Sequence, residues 1–342
     1  MPDDTLLSSR KSDHIRINLA EDVQSRLTTG FEKVRFLHCA LPEFDLDDVD
    51  MSLQVFGKKL RAPILISSMT GGTPEARIIN LNLATAAQNF GLAMGLGSQR
   101  AGLERPDLVE TFQVRSVAPD ILLFANLGAV QLNYRYGVDE CRRAVEMVEA
   151  DGLYLHLNAL QEAVQPEGDT RFSGLLKKIE MVCRAMSVPV VVKEVGWGIS
   201  GATARQLVNA GVAGIDVAGA GGTSWSQVEM HRIQDPHHSK VAASFRDWGI
   251  PTVDSLLQVK SAAPDIPVFA SGGLRTGVDV AKAIALGATL GGMAGSVLKA
   301  AVIGVEEACA TLESAHRELQ IAMFASGCKN LHELAQVELV EG

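Results

Sequence analysis

The chain has 342 residues, 47% of them hydrophobic and 21% charged, a balance that excludes a disordered polymer and requires a packed core. Aromatic residues are only 5%, so Val, Ile, Leu and Ala must supply that core. With a formal net charge of −9 and no basic block interleaved with aromatics, a nucleic-acid surface is excluded, and a polyanionic ligand has to be gripped by a few local cations.

The five cysteines (Cys39, Cys141, Cys183, Cys309, Cys328) are scattered and form no CxxC pair, which reads as free thiols in a reducing, cytoplasmic setting. Residues 1–10 are polar and acidic and lack the basic and apolar regions of a secretion signal. The uncharged stretch 283–298 is rich in glycine and fits the repeat described below, so no membrane association is expected.

In chain order, residues 1–62 stand apart as an N-terminal extension. A helical stretch is expected near 20–27, the acidic run Asp45, Asp47, Asp48 and Asp50 reads as a solvated loop, and 49–60 reads as a hairpin turning at Gly57-Lys58. From residue 63 to 342 short apolar runs alternate with helical patterns. The runs are 63–69, 92–97, 121–128, 152–158, 189–195, 214–219, 267–273 and 289–295, each nearly continuous in Val, Ile, Leu and Ala, as strands buried on both faces should be. Between them, Leu83, Ala86, Ala87 and Phe90 share one helical face, as do Cys141, Ala144, Val145 and Val148, and Ala204, Leu207 and Val208. Eight alternations predict an α/β fold, a closed (β/α)8 TIM barrel, with an open doubly wound sheet as the runner-up. The connection 220–249 is unusually long for such a repeat and reads either as a lid or binding loop or as a plain surface insertion.

Barrel chemistry gathers where strands end and loops begin, and here those ends carry the polar residues. The glycine-rich loops Gly219-Ala220-Gly221-Gly222-Thr223-Ser224, Ser271-Gly272-Gly273-Leu274-Arg275 and Gly292-Met293-Ala294-Gly295 follow consecutive late strands. Their backbone N–H groups, backed by a helix N-terminus and the Thr223 hydroxyl, would cradle a phosphate; the plainer alternative is that the glycines only permit tight turns. Lys193 sits in the apolar strand Val190-Val191-Val192 and would face the barrel mouth, where its charge suits the N1–C2 edge of a flavin; the alternative is an internal ion pair with Glu194. His156 and Asn158 lie two apart and so point the same way, with Gln161 and Glu162 following at once. Glu162 suits Mg2+, which binds through one carboxylate plus substrate phosphates. Arg10-Lys11 and His237-His238, on residue type alone, read as solvated.

Taken together, Arg10-Lys11 with Asp13-His14, Ser67-Ser68-Met69-Thr70-Gly71-Gly72, Gly97-Ser98-Gln99-Arg100, His156-Leu157-Asn158 with Gln161-Glu162, Lys193-Glu194-Val195-Gly196, Gly221-Gly222-Thr223-Ser224-Trp225 and Ser271-Gly272-Gly273-Leu274-Arg275 resemble the type 2 isopentenyl-diphosphate isomerases over nearly the whole chain. The resemblance implies FMN, Mg2+ and NADPH as reductant, and a double-bond shift between isopentenyl and dimethylallyl diphosphate with no net redox change. It implies FMN contacts at Ser68, Met69, Thr70, Ser98, Asn126, Lys193, Thr223, Gly272, Gly273, Arg275, Ala294 and Gly295. Diphosphate contacts would fall at Arg10, Lys11, Ser98, Gln99, Arg100, His156 and Asn158, with Gln161 a substrate contact and proton relay and Glu162 the metal ligand. Arg10 and Lys11 thereby change from solvated to functional, and a homo-oligomer, tetramer or octamer, is implied, with the N-terminal arm ordering over substrate.

Three rivals fit less well. A 2-hydroxy-acid oxidase type of FMN-dependent oxidoreductase needs a His base near a carboxylate-gripping Arg, and the loop bearing Arg275 has no His. An inosine-monophosphate dehydrogenase-like barrel needs a nucleophilic Cys in a late loop, and none lies between Gly219 and Gly249. A non-catalytic flavin module would not need the group His156, Asn158, Gln161 and Glu162.

Overall fold

The computed structural model describes residues 4–342, with side chains from Arg10 onward. Eight parallel strands close a barrel: β1 (Ile64–Ile66), β2 (Ala93–Gly95), β3 (Leu122–Gly128), β4 (Gly152–His156), β5 (Val190–Lys193), β6 (Gly214–Asp216), β7 (Val268–Leu274) and β8 (Leu290–Met293). Each falls on one of the apolar runs. Sequential strands are neighbours, and β8 pairs with β1 through Gly291–Ile64 and Gly292–Leu65, so the sheet is closed rather than open. The helix Pro74–Phe90 shows how local chemistry sets these elements. The Thr73 hydroxyl accepts the Ala76 N–H at 3.1 Å, Pro74 opens the first turn, and Gly91 ends it in the left-handed conformation (φ 62°).

Side chains alternate along each strand, so every second residue points into the barrel. At the N-terminal end that interior is a closed apolar cluster of Leu65, Ala93, Leu122, Phe124, Tyr154, Val191, Phe269 and Leu290. The hairpin Leu53–Val55 and Lys58–Leu60 plugs it, burying Val55 and Leu60 and placing the Phe56 ring edge-on to Phe124 and Phe269 at 6.2 and 6.3 Å. The turn falls at Phe56-Gly57, both with positive φ, one residue earlier than the sequence pattern indicates; this is the backbone a two-residue hairpin turn demands.

Two regions differ from expectation. The helix expected near 20–27 is instead Asp4–Ala20. Ile15, Ile17 and Leu19 alternate like a strand, so no helical stripe announces it, while the segment after Ala20 finds stronger partners in the barrel. The Ser25 N–H donates to Gly222 O, the Ser224 N–H to Val23 O, and Gln24 bridges Thr223. The long connection 220–249 folds into two helices, Trp225–Arg232 and Pro236–Ala243, and receives the N-terminal helix through Ile17, Val23, Val228 and Trp225. All five cysteines are free thiols, and among the described residues no helix is long and apolar enough to cross a membrane.

Candidate active site

Two residues beyond the apolar cluster, on the same inward face, the strands carry Ser67, Gly95, Asn126, His156, Lys193, Asp216, Ser271 and Gly292. The interior turns from hydrocarbon to polar within one step, and this polar layer floors the C-terminal mouth. Burying such groups is costly unless they are satisfied, so their partners define the site. Asn126 is held on both sides: its backbone N–H donates to Gln99 Oε1 (2.8 Å) and its side-chain amide to Leu96 O (2.8 Å). Because Leu96 O can only accept, the amide oxygen of Asn126 must face His156, whose Nδ1 lies 2.9 Å away. His156 therefore carries its proton on Nδ1 and presents an unprotonated Nε2 to the opening. Gly128 is needed beside it, since a Cβ there would stand 3.1 Å from that nitrogen.

The Lys193 ammonium is buried and donates to Glu194 O at 2.6 Å. The Glu194 carboxylate turns away, accepting the N–H groups of Val195, Gly196 and Trp197 through Oε2, so the two do not form the internal ion pair that was the alternative. At the end of β1 the hydroxyls of Ser67, Ser68 and Thr70 are buried with no hydrogen-bond partner among the described residues. Half-buried Met69 lies between them against the core. Unsatisfied buried donors on one wall of the mouth and a buried cation on the opposite wall fit the polar groups of a flavin ring. The late loops fit its phosphate. Gly272 and Gly273 have positive φ (103° and 82°), Gly222 abuts Gly273, and helix Gly295–Ile303 starts after Ala294 with open space at Gly295 and a Ser296 hydroxyl without a hydrogen-bond partner among the described residues. Thr223 is half-buried in the same loop, and exposed Arg275 is bonded to Gln24 Oε1 (3.0 Å).

Across the mouth lies the N-terminal helix. Arg10, His14 and Ile17 form one stripe at helical spacing, with Ile17 docked on Val228 and the polar pair turned to the site. Arg10 Nη1 donates to Gln165 Oε1 (3.2 Å), and Lys11 Nζ to Ser98 O (3.3 Å). His14 Nε2 meets Glu229 Oε1 at 3.0 Å and packs edge-on against the Trp225 ring. Glu229 is fully buried and also accepts Gln161 Nε2 (3.0 Å) and Arg232 Nε (2.7 Å). Glu162 is braced by Asn158 Nδ2 (2.7 Å) and the Asp169 N–H (2.6 Å), while Asn158 Oδ1 has no partner among the described residues. Arg100 is paired with Asp169 (2.9 Å) and Glu104 (3.0 Å).

The charges are poised for an anion. Burial, then the cations Lys193, Lys11 and Arg10, push His156 down to about 3, so it is neutral in the free protein. Loss of water, then the neighbouring Arg10, brings Lys11 down to about 7. Burial raises Glu162. Burial also opposes ionisation of Glu229, but the His14 hydrogen bond and charge and the Arg232 guanidinium outweigh it and hold the carboxyl at about 2.

The structure thus assembles Arg10, Lys11, His156, Asn158, Gln161, Glu162 and Lys193 at one mouth, with the glycine loops beside them. Gln99 departs from the expectation of a side chain open to the mouth: it is fully buried, with its amide spent on Ala144 O and the Asn126 N–H, which holds Asn126 in place. Glu229, His14, Trp225 and Asp216 are the residues that reading by strand ends passes over. Glu229 and Trp225 belong to a helix hidden in the long connection, and the helical spacing of Trp225, Val228 and Glu229 was the one available signal.

A parallel barrel with an anion cradle on its late loops, a buried lysine in its floor and a polar cluster on strand four defines a flavin-binding (β/α)8 enzyme. Residues 144–341 match the model of the FMN-dependent dehydrogenase family. The crystal structure of a mandelate oxidase is similar with a TM-score of 0.69, covering 98% of this chain and 99% of that one at 21% identity, a likeness of fold. The isopentenyl-diphosphate delta-isomerase of Synechocystis sp. is 60% identical over 331 residues, 96% of this chain and 95% of the relative. That of Rickettsia bellii is 51% identical over 330 residues, 96% of each. The chain belongs to the FMN-dependent isopentenyl-diphosphate delta-isomerase family.

Proposed function

We propose that the chain interconverts isopentenyl diphosphate and dimethylallyl diphosphate by moving a double bond with no net redox change. The observation that carries this reading is the laying of Arg10 and Lys11 across the His156, Asn158, Gln161 and Glu162 cluster, beside the Lys193 floor. Reduced FMN, when bound, supplies an electron-rich, protonatable surface that stabilises a cation-like alkene. Ser68, Met69, Thr70, Ser98, Asn126 and Lys193 would hold its ring, and Thr223, Gly272, Gly273, Arg275, Ala294 and Gly295 its phosphate. Arg10, Lys11, Ser98, Arg100, His156 and Asn158 would grip the diphosphate. The anion makes the Lys11 ammonium and a protonated His156 favourable, reversing the depression both carry when it is absent. Glu162 would hold Mg2+ against the diphosphate. Its two oxygens are already aimed by Asn158 and the Asp169 backbone, the support a single-carboxylate magnesium site needs.

Gln161 is the relay nearest the reacting carbons in this reading. An amide is a weak base, but Gln161 Nε2 rests on ionised Glu229, which fixes its orientation so that its oxygen faces Asn158 and the mouth. The arm 1–62 serves as a substrate-binding cover and 63–342 as the FMN barrel. NADPH as reductant, a cytoplasmic location and a tetramer or octamer complete the reading.

The test is anaerobic incubation with FMN, NADPH, Mg2+ and isopentenyl diphosphate. Dimethylallyl diphosphate formed only with reduced flavin, without matching NADPH consumption, is the expected result. Bound FMN with no product would overturn the isomerase reading in favour of a 2-hydroxy-acid oxidoreductase.

A further inference from the structure

The floor contains one acid that neither the diphosphate nor the alkene explains. Asp216 ends β6 inside the barrel, is fully buried, and stands in register with Lys193 of β5. Its Oδ1 accepts the Ser271 hydroxyl from β7 at 2.6 Å and the Ala218 N–H at 3.3 Å. Its Oδ2 has no hydrogen-bond partner among the described residues, and neither has the phenol of Tyr154 on β4, which feels the Asp216 charge. Lys193 for its part is bonded to Glu194 O and makes no ion pair within contact distance among the described residues. A lone carboxylate in a barrel interior is expensive, and a buried group without its full set of partners is retained where it serves the site.

We infer that Asp216 is a positioning residue that acts through Lys193: it is the counter-charge that keeps the floor beneath the flavin's pyrimidine edge near neutrality. This rests on the placement of FMN proposed above. Lys193 alone would make that floor positive and would favour whichever redox and protonation state of the flavin carries the most negative charge. With Asp216 ionised, the anionic and neutral reduced forms lie closer in energy, which a cofactor used for proton chemistry requires. Burial raises the Asp216 pKa on balance, Lys193 and the hydrogen bonds from Ser271 and Ala218 oppose that rise, and its ionised form therefore depends on these partners.

The experiment measures the FMN midpoint potential of the holoenzyme, after FMN titration of each protein by fluorescence quenching. Asp216→Asn should bind oxidised FMN and shift the affinity ratio toward the reduced form by about tenfold, which is about 30 mV upward for a two-electron couple. In a Lys193→Met background the same substitution should shift the potential by much less, because the residue acts through the lysine. Ser271→Ala, which removes a donor that helps keep the carboxylate ionised, should move the potential the same way by a smaller amount and serves as the test if Asp216→Asn does not fold. An unchanged or lowered potential in Asp216→Asn, a downward shift in Ser271→Ala, or an undiminished shift in the Lys193→Met background overturns the inference. Failure of the wild-type protein to bind FMN would instead overturn the placement of the cofactor.

Discussion

The two ends of the barrel are built from the same strands and differ in one step of the pleat. At the N-terminal end Leu65, Phe124, Tyr154, Val191 and Phe269 pack against a hairpin that shuts out water; two residues on, Ser67, Asn126, His156, Lys193 and Ser271 face the mouth. The first layer gains from burial, whereas the second gives up that gain to hold polar groups that a ligand can satisfy. Stability and chemistry are therefore separable along the barrel axis, and substitutions at the two ends should fail in different ways.

The sharpest contrast is Phe269→Ala. Removing a fully buried ring that touches Phe124 and Phe56 should cost about 3–5 kcal/mol, read as a lowered urea midpoint, while FMN affinity of the folded fraction stays within about threefold. Loss of FMN affinity without loss of stability would show that the two layers are coupled. At the other end, Gln161→Ala should lower turnover by about a hundredfold while the bound-flavin spectrum and the melting temperature persist. Unchanged turnover would remove Gln161 from the mechanism. A smaller effect is expected at Lys11→Ala, with KM for isopentenyl diphosphate raised by roughly tenfold at neutral pH. In the wild-type protein KM should climb as pH rises above about 7, where the free Lys11 ammonium gives up its proton, and this climb should vanish in the variant.

How far these regions were legible in the sequence follows the same division. The strands were visible because residues buried on both faces leave continuous runs such as Val190-Val191-Val192, and the plug hairpin because its strands flank a glycine. The polar floor was partly visible: Lys193 and His156 stand out against apolar neighbours, but Asp216 lies inside the run 214–219, whose end reads at Gly219, and so falls short of the strand end where site residues are sought. The cover was the least visible. Among its described side chains the N-terminal helix buries only Ile15 and Ile17, and its stability comes from docking on a helix whose own existence depends on the long connection folding back. Arg10 and Lys11 carry no local mark of function, and it took a family resemblance to single them out. Gln99 is the converse case, a polar residue at a strand end whose amide serves the backbone. Position at the mouth singles out candidates; only partners separate ligands from struts.

The last effect in this series tests whether the floor is set for an anion. His156 is pushed down to about 3 by burial and by the facing cations Lys193, Lys11 and Arg10, against an unfolded value of 6.5. Below 6.5 the unfolded chain therefore binds a proton that the folded chain refuses until about pH 3, so stability falls as pH falls through that window. Each unit of pH should cost up to about 1.4 kcal/mol from this residue alone. His156→Gln can still donate to Asn126 but cannot titrate, so without substrate its stability should decline less between pH 6.5 and 5 than that of the wild-type protein. Inorganic diphosphate should flatten the wild-type curve as well, since an anion at Nε2 favours the charged ring. Parallel curves for the two proteins without diphosphate would mean that His156 is not held neutral by its surroundings, and the division between a sealed apolar end and an anion-ready polar end would have to be redrawn at strand four.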